Sequence, residues 1–254
     1  MRSTLVRRTV LTASAVSLAL LGTACGAEKS EPKADGSSAA ASAPAPAAKG
    51  KTDAELAGQI VAQADLPDHQ FKPVTPAEAT AGATATSDKP ECLPLVKAQS
   101  VTPVGTSTGV ARTKAVATPK APSEGASMEE KLKAGMDALG STATAVTLAS
   151  YEGKGAEEAF AALKTAGTAC AGGYAVTQDG EAGKVGKVAA GTPVTAGDAA
   201  LAYTVEGDAD GAKFTTQLVV VRKGNTLATF SAISLKGAAE QPKAIVDAQV
   251  KKLG

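Results

Sequence analysis

The spacing of apolar residues changes period several times along the chain, and each change predicts an element. Thr52-x-x-Glu55 forms a capping box ahead of Leu56, Ile60 and Val61 at helical spacing, which predicts a helix to about Ala64. Leu66-Pro67-Asp68 stops it, and His69 to Val74 alternates as a short strand. Thr75 to Lys89 is rich in Ala and Thr and reads as a long surface loop. Pro90 then opens a short helix carrying Cys92, Leu95 and Val96. Val101 to Val116 reads as strand material with a turn near Gly105. A second capping-box spacing at Ser127–Glu130 starts a helix with Leu132, Met136 and Leu139 on one face, ended by Gly140. Thr142 to Tyr151 is a strand, and Gly155 to Ala169 a helix with Phe160 and Leu163 inward and Cys170 at its exit.

The last third carries the clearest pattern. Gly173 to Gln178, Gly183 to Ala189, Ala199 to Glu206, Lys213 to Arg222 and Thr226 to Leu235 are successive strands separated by Gly, Asp and Asn. Lys223-Gly224-Asn225 marks a hairpin turn. The unbroken run Leu218-Val219-Val220-Val221 predicts a central strand covered on both faces. Gln241 to Leu253 closes the chain as a helix whose Ile245, Val246, Gln249 and Val250 form a stripe across the sheet. The expected fold is α+β, an antiparallel sheet of about five to six strands flanked by three to four helices.

The beginning of the chain follows a different logic. Arg2, Arg7 and Arg8 precede a charge-free run from Thr9 to Leu21, and Leu20-Leu21-Gly22-Thr23-Ala24-Cys25-Gly26 ends it with small residues and one cysteine. That order predicts a signal peptide over 1–24. The stretch resembles a bacterial lipobox, which implies cleavage between Ala24 and Cys25 and a lipidated Cys25 as membrane anchor. Arg7-Arg8-Thr9-Val10-Leu11 also resembles a twin-arginine signal, so general secretory and twin-arginine export both stay open. Residues 25–51 are rich in Ala, Ser, Pro, Lys and Gly without apolar periodicity and predict a disordered tether. Its root-mean-square span would be about 30 Å. Residues 52–254 then form one extracytoplasmic domain.

Composition narrows the function. Removing the three leader arginines takes the net charge from +1 to −2, aromatics are 3% of the chain and Trp is absent. Such a body has neither the basic face nor the stacking residues that nucleic acid requires. No second apolar run approaches the roughly 20 residues that span a bilayer. With Cys25 assigned to lipid, Cys92 and Cys170 remain as a pair, which in an exported protein predicts a disulfide rather than two buried thiols.

The second half carries an ordered set of features. A helix ending in cysteine (Phe160 to Cys170) and a Gly-Tyr strand lead into Gly197-Asp198-Ala199-Ala200-Leu201-Ala202-Tyr203. The paired strands from Leu218 to Phe230 and the terminal Ala248-Gln249-Val250-x-x-Leu253 helix follow. This order resembles the actinobacterial secreted lipoproteins related to the PknH-like extracellular sensor domain. The resemblance implies a helix-flanked antiparallel sheet with a cleft, and a role in extracellular ligand sensing. Where a tryptophan often precedes the helix-terminal cysteine in that family, Thr168-Ala169 stands here.

Catalytic chemistry has little to rest on. His69 is the single histidine, so any nucleophile-histidine or histidine-metal chemistry would rest on that one residue, and an exposed loop or strand-edge position is expected for it. Asp208-Ala209-Asp210-Gly211 opens like a calcium loop, but Val219 stands where the bidentate Glu is needed, so a polar hairpin tip is expected. Lys184 and Lys187 read as a solvated strand face. Glu129-Glu130 and Glu157-Glu158 read as charges in first helical turns. The expectation is a non-enzymatic, monomeric module without cofactor or metal, anchored through Cys25 on the outer face of the cytoplasmic membrane. It would bind an unidentified small molecule, lipid or envelope protein. An envelope enzyme and a structural lipoprotein are the alternatives, and a cavity below about 300 Å³ would favour the last.

Overall fold

The computed structural model describes residues 49–118, 122–139, 142–209, 211–234 and 238–254. The leader, Cys25 and most of the tether fall outside them. In chain order the elements are α1 (Asp53–Gln59), β1 (His69–Pro73), α2 (Pro76–Thr84), β2 (Thr86–Ser87), a 3-10 turn at Pro90–Cys92, and α3 (Leu93–Gln99). There follow β3 (Gly109–Ala117), α4 (Met128–Leu139), β4 (Ala143–Ser150) and α5 (Gly155–Ala169). The strands β5 (Tyr174–Gln178), β6 (Glu181–Ala190), β7 (Ala199–Ala209), β8 (Ala212–Lys223) and β9 (Thr226–Ser234), then α6 (Lys243–Leu253), complete the order.

All strands join one antiparallel sheet in the order β1-β3-β4-β9-β8-β7-β6-β5-β2. The fold is therefore α+β, as expected, but larger: nine strands and six α-helices among the described residues. Leu218, Val219, Val220 and Val221 of β8 are fully buried because both faces of the sheet are covered there. On one face, α3 and α5 pack Leu95, Val96, Leu163 and Ala166 over Leu218, Val220 and Leu227. On the other, α1 and α6 pack Leu56, Ile245 and Val246 over Val146, Leu148, Val219, Val221 and Phe230.

Three segments depart from expectation for local reasons. The segment 75–89 is not a loop: Thr75 and Glu78 form a capping box and start α2. The first helix ends at Gln59, short of Ala64, where Ile60 turns extended. Strand β3 starts only at Gly109: the chain turns as expected at Gly105, whose φ is +77°, before the strand begins, and Val101 has a left-handed backbone with φ of +49°. A β-branched residue there costs of order 1–3 kcal/mol. The turn is held by Arg112, whose Nε donates to the Val101 carbonyl at 2.5 Å.

The remaining elements match their reading closely. Ser127 and Glu130 form the predicted capping box of α4, with Ser127 N–H donating to the Glu130 carboxylate at 2.7 Å. Gly140 lies outside the described residues. Gly224 and Asn225 make the β8–β9 turn. The Gly197-Asp198 pair turns out to be structural: Gly197 has φ of +59° and a Cβ there would overlap the Arg222 carbonyl. Asp198 then accepts from Gly224 N–H at 2.6 Å and holds the hairpin tip.

Candidate functional site: an open cleft on the sheet

Strand register decides which residues share a face. The cross-strand pairs Gln70↔Val116 and Lys72↔Lys114 continue through Lys114↔Ala145 and Val116↔Ala143 to Ala145↔Ser231 and Ala143↔Ile233. Thr216↔Ile233, Gly207↔Phe214, Val185↔Gly207 and Val176↔Gly183 extend the same face across the sheet. This is the face that α3 and α5 cover, but only at one end. Towards the C-terminal end of β9 it lies bare and forms a cleft of about 840 Å³. That volume falls within the range of small-molecule sites.

The floor is largely apolar, Val116, Ala143, Ala145, Val185, Phe214 and Ile233, with the hydroxyls of Thr216 and Ser231 set among them. Small side chains create the depth. Phe214 lies across Gly207, where a Cβ would overlap the ring, so the aromatic can lie flat on the sheet. Gln99 and Ser100, at the end of α3, wall one side. Ser100 donates to the Gln178 side chain at 3.2 Å, which joins that wall to the β5–β6 hairpin.

Charge is uneven around the rim. Lys72 and Lys114 face each other across β1 and β3, a like-charged pair that costs stability unless neutralised. Glu78 ion-pairs with Lys114. The Lys114 hydrogen bond, with help from Thr75, pulls the Glu78 carboxyl down to about 2. Among the described residues no carboxylate pairs with Lys72. Asp179 and Glu181 stand on the opposite rim.

The sequence-predicted residues are dispersed. Cys92 and Cys170 form the disulfide that joins the start of α3 to the end of α5, with Cα atoms 5.8 Å apart. His69 opens the edge strand β1, away from the cleft, and its Nδ1 is buried without a hydrogen bond among the described residues. It borders a second, more polar hollow with Glu240 and Lys243. Asp208 accepts from Gly211 N–H at 2.8 Å, as a hairpin tip should. Lys187 pairs across to Glu206 on an exposed strand face, while Lys184 reaches the cleft rim. Glu129, Glu130, Glu157 and Glu158 occupy first helical turns. Among the described residues no group of three or more His, Cys, Asp or Glu is gathered for a metal, and no helix is long and apolar enough to cross a membrane. The cleft residues themselves carried no motif; the register alone assembles them.

Fold and cleft together define a single-sheet α+β domain with helices on both faces and one bared sheet end. No family model and no curated protein matches the chain. Among solved structures, the extracellular domain of PknH from Mycobacterium tuberculosis is similar at 15% identity, over 81% of this chain and 97% of that one, with a TM-score of 0.47.

Proposed function

We propose that this protein is an extracytoplasmic, lipid-anchored binding module, without enzymatic activity, whose ligand is a small molecule held in the cleft. The carrying observation is the cleft of about 840 Å³ with a largely apolar floor and a polar rim. It is well above the size below which a purely structural role would be favoured. The leader and the small-residue exit to Cys25 support export and anchoring. The Cys92–Cys170 disulfide fits an oxidising compartment.

Mass spectrometry of small molecules copurifying with the mature chain tests the reading. A recurring ligand is expected, and it should be lost from Ala145→Trp and Ala143→Phe, which place a large side chain on the open floor. Two variants are named so that a folding defect in one does not decide the matter. A copurifying molecule retained equally by both folded variants would remove the cleft from the proposal. Hydrolysis of ester, peptide or glycoside substrates that disappears in His69→Ala would overturn its non-enzymatic part.

A further inference from the structure

The helix α4 presents an apolar stripe to solvent. Met128, Leu132 and Met136 recur every four residues on one face and are 82%, 66% and 55% exposed. A helix with such a stripe ordinarily buries it. The chain places this helix between two cleft-lining strand ends, Ala117 of β3 and Ala143 of β4. None of the described residues lining the cleft belongs to α4.

Chain length limits where α4 can lie. Leu139 is four residues from Ala143, so at full extension their Cα atoms are at most about 14 Å apart. On the other side ten residues join Ala117 to Ser127, a reach of about 33 Å. The helix itself is about 18 Å long, and neighbouring strands are about 4.8 Å apart. From β4, α4 can therefore lie across β9, β8 and β7, above Ile233 and Phe214. An apolar floor without a roof and an apolar stripe without a partner are thus tethered to each other.

Resting on the cleft reading above, we propose that the ligand is an amphiphile with an acyl chain and an anionic head. Its chain lies on the Ala145–Ile233–Phe214 floor, its head meets Lys72, and the Met128–Leu132–Met136 stripe of α4 closes over it. The anionic preference follows from Lys72, which faces Lys114 and has no carboxylate partner among the described residues. A free fatty acid and a lysophospholipid share this chemistry.

Methionine oxidation reads the closure directly, because Met128 and Met136 are the only methionines after Met1. The mature chain from position 25, carrying Cys25→Ser, is exposed briefly to peroxide with hexadecanoate, lysophosphatidylglycerol or hexadecan-1-ol, and sulfoxides are counted by mass spectrometry. Both methionines should be protected several-fold by an anionic amphiphile, the better of the two naming the source, and protection should vanish in Ala145→Trp. Lys72→Gln should weaken hexadecanoate binding about fivefold and leave hexadecan-1-ol unchanged. Leu132→Ser, at an exposed site where folding is not at stake, should weaken it about tenfold.

Hexadecanoate bound in calorimetry and lost in Ala145→Trp, yet giving no methionine protection, would overturn the closure while the cleft reading stands. No binding of either anionic amphiphile to a protein that retains another copurifying ligand would overturn the ligand class alone. Protection that grows with protein concentration without probe would assign the stripe to a second copy. Protection by phosphatidylcholine vesicles but not by dissolved acid would assign it to a bilayer. Either result overturns the proposal.

Discussion

At the scale of single residues, the three tyrosines report how tightly the sheet and its helices close. Tyr174 lies under α3, with Gln99 donating to its hydroxyl at 2.8 Å. Burial pushes its pKa up from 10 to about 12, the Gln99 hydrogen bond opposing in part. Burial also raises Tyr151 and Tyr203. An acid whose folded pKa is raised stays protonated where the unfolded chain ionises. The Tyr174 contribution to stability is therefore whole below pH 10 and is lost as pH climbs from 10 through about 12. Absorbance at 295 nm should rise at higher pH in the native protein than in the urea-unfolded chain, which titrates near 10. A native titration centred at 10 would mean that these rings are solvated.

At the scale of elements, the joint between the first and last helices is the most exposed to a single change. Gln249 of α6 is fully buried; its Oε1 accepts from Val61 N–H at 2.8 Å and its Nε2 donates to the Gln59 carbonyl at 2.9 Å. Lys252 adds a donor to the Ile60 carbonyl at 2.9 Å. The last turn of α1 has no basic residue of its own, so α6 supplies its C-terminal cap from the other end of the chain. Gln249→Leu keeps the volume but strands one N–H and one carbonyl, which should cost about 2 to 4 kcal/mol. Urea unfolding measures it, and a loss under 1 kcal/mol would show that the joint is solvated. The sequence placed Gln249 on the inward stripe, yet its partners lie 188 and 190 positions away and leave no local trace. Local signals were readable wherever a cap or period announced them, as at Thr52, Ser127 and the β8–β9 turn. The helix α2 carries the same Thr-x-x-Glu signal at Thr75–Glu78, but its inward residues are only Ala and Gly, so no apolar period accompanies it. For α4 the period gathers Leu132 and Met136 on one side and is silent on what that side meets. The cleft was illegible for a deeper reason: it is made by the register of eight strands and by where helix cover ends, and neither is encoded within any one segment.

At the scale of the molecule, the arrangement is polar along the strands of β8 and β9. The described chain enters at Lys49, whose carbonyl accepts from Asn225 Nδ2 at 2.6 Å in the β8–β9 turn, while the cleft opens towards the opposite ends of those strands. Between the two ends, the disulfide ties the helices that cover the closed part of the sheet. It spans 78 positions, and in the chain-entropy model a loop of that length is worth about 4 to 5 kcal/mol. The loop encloses α3, β3, α4, β4 and α5, so its loss should loosen the α3–α5 cover and the cleft wall at Gln99 and Ser100 before the α1–α6 side. A disulfide persists in an oxidising compartment, which is what the proposed export and anchoring at Cys25 would supply. Cell fractionation with thiol labelling tests the connection in one experiment. The unaltered protein should sit in the membrane fraction with Cys92 and Cys170 unlabelled, and Cys25→Ser should move it to the medium with both still unlabelled. Cys92→Ala together with Cys170→Ala should lower urea stability by several kcal/mol and reduce the amount recovered from either place. Membrane retention of processed Cys25→Ser would refute the anchor, and labelled Cys92 in the exported protein would refute the bond; each result leaves the other half of the argument intact.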